Sequence, residues 1–450
     1  MDFAPHTADD DRAMLDAIGV AGIDELFESV PASVRVQKSL DVPAALSEVE
    51  LIRHMAELSA RSKGAAELTC FAGGGAYDHH VPAAVRSLAS RAEFATSYTP
   101  YQPELSQGVL QAVYEFQTAV CEIYGMEVAN ASLYDGANAL VEGANLAARA
   151  TTRERILVGS TVHPNYVDVL RTYTSGLGFQ IDIVEHGPDG VVDWTDVNMH
   201  DPGITAAVVL AYPNFFGRLE DVEAAARLAH DDGALLISVT DPTAMGVLRA
   251  PGEMGADVAV GEGHALGNPM SYGGPYVGLF ATKLDLVRQV PGRIAGETLD
   301  ADGRRAFVLT LQAREQHIRR AKATSNVCTN QTLMAIAAAV HLSWLGPEGL
   351  ERLGELCAAQ TAYAARRLAE IPSCRIAFDG ARFKELVLET PVDAAELAAA
   401  VARRGFLVGP ALGRWYPELD KALLVAVTEK RTRDEIDALA EALFKELAER

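Results

Sequence analysis

The sequence predicts an α/β protein with a mostly parallel sheet in a large domain, followed by a smaller C-terminal α+β domain. Three observations carry that expectation. Between about residues 66 and 330, short β-branched runs alternate with longer helical stretches, the pattern of a sheet covered on both faces by its crossover helices. These runs end in loops of small and polar residues, where open α/β sheets bind ligands. From 331 onward, two long alanine-rich helices precede short strands and further helices.

Residues 1–65 read as a helical extension. Asp24-Glu25-Leu26-Phe27 begins an amphipathic piece that Pro31 stops, and Ser47 with Glu50 forms a capping-box pattern. Leu51, Met55 and Leu58 follow at helical spacing. In the large domain, 66–330, strands are expected at Arg155 to Val158, Gln180 to Val184, Ala206 to Leu210, Ala234 to Val239, Val258 to Gly261 and Tyr276 to Ala281. In the small domain, 331–450, helices are expected at Thr332 to Leu345, Glu348 to Ile371, Ala394 to Arg404 and from Thr432, with strands near Cys374 to Phe378 and Glu385 to Leu388.

The 450 residues carry 39 Lys+Arg against 61 Asp+Glu, a net charge of −22. Such a surface repels phosphate backbones and anionic lipid, which argues against nucleic-acid and membrane binding. Basic stretches are local, at Arg314 to Lys322 and Lys430 to Arg433. Five cysteines at long spacings, with no Cys-x-x-Cys pair, fit free thiols in a reducing compartment better than disulfides or zinc. The acidic N-terminus lacks an apolar signal core, and no apolar run approaches the ~20 residues of a membrane span. The cytoplasm is the expected compartment.

Four loops concentrate chemistry. In Phe71 to His80, three consecutive glycines permit either a close anion contact or a packed turn. His79 and His80 lack companions at metal-ligand spacing, so no metal is expected. Tyr98 to Gly108, stiffened by Pro100 and Pro103, sets Tyr98, Tyr101, Gln102 and Glu104 beside a helix start, polar chemistry suited to a wet pocket or an interface. Leu133 to Asn138 enters a helix with the small residues a phosphate cup needs, but Asp135 would oppose a phosphate. His163, in the loop after the strand ending at Val158, could stack on a planar ring or be structural. Gly261 to Pro269 and Ser271 to Pro275 form the fourth, glycine-rich loop.

Taken together these runs resemble the glycine decarboxylase component of the glycine cleavage system, the P-protein, across essentially the whole chain. The resemblance rests on Ile18-Gly19-Val20, Ile23 to Phe27, Tyr98 to Gly108, Arg249 to Gly255, Arg314 to Arg320 and Lys322 to Thr329. It implies the fold of the fold-type I PLP-dependent transferases, the aspartate aminotransferase-like class. The family occurs as one long chain of two such halves or as two subunits, and this chain resembles the amino-terminal half, subunit 1. It is then expected to act with a PLP-bearing subunit 2, as an α2β2 assembly, on glycine and the lipoylated H-protein.

The resemblance also places His264 where the other half carries its Schiff-base lysine. Imidazole cannot form that bond, and none of the eight lysines lies in the loop before Gly273. The expectation is therefore that pyridoxal phosphate is bound covalently by the partner subunit rather than by this chain. Thr324, Ser325 and Asn326 are candidates to reach the partner's PLP phosphate, or else form a capping turn. Tyr98, Tyr101, Gln102, Glu104 and His163 are candidates to line the pocket or its channel. Arg314, His317, Arg319 and Arg320 offer cations for docking the H-protein. The rival readings are a stand-alone PLP-dependent decarboxylase or aminotransferase and a non-catalytic scaffold.

Overall fold

A computed structural model describes residues 5–36, 40–195, 197 and 203–449. The chain divides into two compact units, residues 1–62 and 63–450. In the first, Thr7 and Asp10 form a capping box that starts the helix Ala8–Ile18, and Gly19, at φ +85°, ends it. The expected amphipathic piece is a 3-10 turn, Ile23–Phe27. Helix Glu48–Ser59 begins at the Ser47–Glu50 capping box that the sequence marks. Neither helix buries a residue.

The second unit is built on a seven-stranded sheet. Its order is Val128–Ala129, Gly278–Thr282, Val258–Glu262, Leu235–Thr240, Thr205–Tyr212, Arg155–Gly159 and Gln180–Val184. Four pairings are parallel and the two involving Gly278–Thr282 are antiparallel. Thr205–Tyr212 is buried at every residue. Its alternate side chains serve different cores: Val208, Leu210 and Tyr212 pack with Phe116, Tyr124 and Trp194, while Ala207, Val209 and Ala211 pack with Leu140, Ile156 and Ile237. Each such aliphatic burial is worth about 1.5–3 kcal/mol, and both faces need it because helices cover both.

A three-stranded antiparallel sheet joins Arg375–Ile376, Glu385–Glu389 and Ala422–Ala426. Helix Ala394–Arg403 and helix Arg433–Ala448 carry its core partners Leu397, Val401, Ile436 and Leu439. A distant segment joins this region: Thr69–Ala72 pairs in parallel with Phe406–Gly409, and Phe71 enters the same core. That pairing delivers the Gly73–His80 loop to the main sheet's edge.

The hairpin Ile294–Leu299 with Arg305–Thr310, like the strands Phe406–Gly409 and Ala422–Ala426, has no counterpart among the expected strands. The two long helices meet without a gap as Thr332–Ala369, with non-helical backbone at Gly346 just before Pro347. By length and composition alone this stretch is long and apolar enough to cross a membrane, a test that the core helices of globular proteins also pass. The break at Gly346 divides it into the two expected segments.

Candidate functional site

Four neighbouring parallel strands end at one edge, and each delivers a polar group. Arg155–Gly159 leads to His163, Thr205–Tyr212 to Asn214, Leu235–Thr240 to Asp241, and Val258–Glu262 to His264. The glycine loop adds Gly75 and Tyr77, and Phe383, Lys384 and Glu385 close the cavity from the C-terminal sheet. Crossover connections put ligand-binding loops at this edge of such sheets.

At its centre the Lys384 ammonium forms an ion pair with Asp241. It also meets Thr243 Oγ1 at 3.2 Å and His79 Nε2 at 3.3 Å, and lies 3.7 Å from the Tyr77 ring centroid. His79 Nδ1 is 2.6 Å from Glu429 Oε2. With its proton on Nδ1, His79 donates to Glu429 and accepts from Lys384. A line of alternating charge and dipole thus runs from Glu429 through His79 and Lys384 to Asp241. Burial would raise the Asp241 carboxyl, but the Lys384 ammonium holds it below its usual value. Asp241 Oδ1 also accepts the Thr243 amide at 2.9 Å and hydroxyl at 2.7 Å.

Lys384 is 2% exposed and sits at φ +60°, a left-handed backbone that costs a non-glycine residue roughly 1–2 kcal/mol. The surrounding contacts hold it there: Phe383 and Glu385 are both buried, and its carbonyl accepts the Val427 amide at 2.7 Å. The loop before Gly273 does lack a lysine, yet an amine stands in the cavity, delivered from a strand start. Asp241, Thr243 and His79 take its three protons, so it is a saturated ammonium rather than a free nucleophile.

His264 is a neutral ring. Its Nε2 accepts the Tyr77 amide at 3.0 Å, it stacks on Tyr276, and burial above all, with the Lys384 charge nearby, pushes it down to about 3. Glu262 is raised by burial to about 8 although it accepts the amides of Gly136 at 3.0 Å, His264 at 2.9 Å and Val277 at 3.2 Å. Glu385, raised by burial to about 7, accepts the Gly74 amide at 2.7 Å and the Tyr77 hydroxyl at 3.0 Å. A Cβ at Gly73 would lie 2.4 Å from its Oε1, so the loop needs glycine there.

His163 also lies in this cavity, apart from the other expected channel residues. Its Nε2 donates to the Gly74 carbonyl at 2.6 Å, its Nδ1 accepts the Asn165 amide at 3.1 Å, and its ring stacks on Tyr166. Burial lowers its pKa. The metal-like grouping of His79, Cys357 and Glu429 is internally satisfied, because both nitrogens of His79 are engaged and a cation stands 3.3 Å from one of them.

The remaining candidates form a second cluster. Tyr98 and Tyr101 are exposed, and Tyr101 meets His317 edge-on at 6.0 Å. Thr99 Oγ1 accepts from buried Arg293 at 2.9 Å, which also donates to the Cys328 carbonyl at 2.9 Å and to Asn330 at 3.1 Å. Gln102 is exposed beside the 3-10 turn Pro103–Leu105, which contains Glu104. Thr324 donates its amide to the Arg314 carbonyl at 3.1 Å and its hydroxyl to the same oxygen at 3.3 Å. Ser325 Oγ accepts the Val327 amide at 3.0 Å, and Asn326 is exposed. The expected role of Arg314 in an exposed basic patch needs correction. It is buried, donates to the Val290 carbonyl, and burial lowers its pKa. His317, Arg319 and Arg320 are exposed.

The chain matches the family described as Glycine cleavage system P-protein over residues 1–443. It is 48% identical over 443 residues to a protein of Desulforamulus reducens named "Probable glycine dehydrogenase (decarboxylating) subunit 1", covering 98% of this chain and 99% of that one. A protein of the same name from Moorella thermoacetica is 49% identical with the same coverage. Among solved structures, a glycine decarboxylase (P-protein) of the glycine cleavage system in inhibitor-bound form aligns with TM-score 0.91 and 43% identity, over 99% of this chain and 100% of that one. A NifS-like protein aligns with TM-score 0.64 at 13% identity, covering 85% and 99%, a likeness of fold.

Two outcomes follow from the buried charges. Lys384→Met leaves Asp241 as an unpaired buried carboxylate and lowers stability by about 3–5 kcal/mol, and adding Asp241→Asn recovers most of that loss in equilibrium denaturation. The second concerns pH. His264, neutral until about 3 when folded and 6.5 when not, takes up its proton earlier in the unfolded chain, so stability is lost as pH falls from 6.5 toward 3. Glu262, with a folded value near 8 against 4.5, binds its proton more tightly when folded and removes stability as pH rises from 4.5 to 8. Urea midpoints measured across pH should therefore decline less on the acid side in His264→Asn and less on the alkaline side in Glu262→Gln.

Proposed function

Because the chain belongs to the glycine cleavage system P-protein family, we propose that it is subunit 1 of a two-subunit glycine dehydrogenase (decarboxylating). Its partner, subunit 2, holds pyridoxal phosphate covalently, and the two assemble as α2β2 in the cytoplasm. The cofactor supplies the electron sink through which glycine loses its carboxylate, and the aminomethyl group passes to the lipoyl arm of the H-protein. The observation that carries this reading is the state of the chain's own cavity. Its central amine is a saturated ammonium paired with Asp241, and a neutral histidine stands at the strand end where the resemblance places the cofactor lysine.

This chain's contribution then lies at the second cluster. Buried donors there lack acceptors within the described residues: Arg293 Nε, Arg314 Nε and Arg314 Nη2. Buried donors call for acceptors, and a partner chain can supply them. Thr324, Ser325 and Asn326 lie on the same segment; exposed Asn326 can donate to the partner's cofactor phosphate as it stands, whereas Thr324 must turn its hydroxyl and amide from the Arg314 carbonyl to do so. Tyr98, Tyr101, Gln102 and Glu104 line the approach, excluding water with their rings and orienting the lipoyl arm. Arg319 and Arg320, both exposed, attract an acidic carrier protein.

Exchange between the carboxyl of glycine and labelled CO₂ should require both subunits, and full exchange by subunit 2 without this chain would overturn the reading. Thr324→Ala combined with Ser325→Ala should raise the pyridoxal phosphate dissociation constant of the assembled enzyme. Charge reversal at Arg319 and Arg320 should raise the apparent KM for H-protein, more at low ionic strength than at high.

A further inference from the structure

We infer that this chain's cavity carries a built-in substitute for a phosphorylated pyridine: Lys384 answers Asp241 at one end, Asp135 and Glu262 close the helix N-terminus at the other, and Lys384 is the residue that keeps the site closed. The inference concerns this chain by itself and does not depend on the assembly above.

At the first end, a pyridine nitrogen is held in its protonated form by an acidic partner. Asp241, at the end of a central strand, has the position and charge for that task. Its Oδ2 is already on the Lys384 ammonium, and its Oδ1 on the Thr243 amide and hydroxyl.

At the other end, the first amides of helix Gly136–Thr151 would suit a phosphate. Instead Gly136 N donates to Glu262 Oε2 at 3.0 Å and Asn138 N to Asp135 Oδ1 at 2.8 Å. The Asp135 carboxylate repels a phosphate, and the two side chains already take the Gly136 and Asn138 amides.

Between the ends the Tyr77 ring packs under the Lys384 ammonium and is stacked with His264. Around Asp241 and Lys384 the space that remains is about 80 Å³, below the roughly 300 Å³ at which small-molecule pockets begin; at the Asp135 end a cavity of about 400 Å³ adjoins it. Pyridoxal phosphate does not fit this site's polar groups, because Asp241 and the Gly136 and Asn138 amides are already engaged by side chains of the same chain. The polarity of the site, anion at the strand end and cation against it, is nonetheless that of a bound heterocycle, supplied by side chains.

Lys384→Ala removes three carbons and a nitrogen, the atoms of n-propylammonium, and leaves Asp241 facing a vacated channel. The unfolding temperature of the full chain is measured against n-propylammonium chloride, with sodium chloride holding ionic strength constant. Lys384→Ala should be stabilised progressively by mass action, at least tenfold more sensitively than the native chain, and Lys384→Ala with Asp241→Asn should not respond. An indifferent single variant, or an equal response in the double variant, overturns the inference.

A second measurement needs no variant. The native chain is incubated with pyridoxal phosphate, reduced with borohydride and digested for mass spectrometry. Lys384 should carry no pyridoxyl group while exposed lysines react, and a modified Lys384 overturns the inference even if Lys384→Ala fails to fold. Loss of glycine exchange in the two-subunit assay bears on the assembly and leaves this result untouched.

Discussion

The line from Glu429 through His79 and Lys384 to Asp241 joins parts of the molecule that the backbone keeps apart. Asp241 ends a strand of the seven-stranded sheet, Lys384 precedes a strand of the C-terminal sheet, and His79 belongs to the glycine loop. Each charge is costly to bury by itself, and the line is tolerable only while all members are present. The left-handed Lys384 backbone accompanies the same arrangement. Removing one member therefore frees a charge in one layer while loosening a second.

Two sites of opposite character result. At the sheet edge Asp241, Glu262 and Glu385 are matched by other groups of the same chain, His264 Nδ1 being an exception. Around Arg293 and Arg314 the reverse holds: donors are buried without acceptors, while Tyr98, Tyr101 and His317 stand out toward solvent. The first arrangement is largely closed on itself and the second leaves more donors unmatched. This asymmetry is consistent with the proposed reading, in which the chain's contribution lies at the second cluster rather than at its own sheet edge.

Much of the fold was legible because its signals are local. Gln180–Val184 and the Ser47 capping box occur where periodicity and caps put them, and the doubly covered sheet follows from alternating strands and helices. Loop membership of the site was legible as well: Gly73–Gly75, His163, Glu262 and His264 all lie in runs singled out for their chemistry. What escaped was long-range. Lys384 and Asp241 lie far apart in the chain, beside strands of different sheets, and neither sits in a glycine-rich run. An acidic residue directly after a β-branched run was the signal available for Asp241; for Lys384 nothing local existed. Arg314 was misjudged because a basic run looks alike whether its members face solvent or core.

The parallel pairing of Thr69–Ala72 with Phe406–Gly409 has a consequence for biogenesis. A ribosome emits the first strand long before the second, so the early segment must wait, unpaired, while nearly all the intervening polypeptide is made. Long sequence separation of this kind slows folding and leaves a bare strand edge open to wrong partners in the interim. The glycine loop that follows this strand can settle only once its distant neighbour has arrived. Maturation of the sheet edge is therefore a late event, tied to completion of synthesis and sensitive to whatever shields nascent strands in the cell.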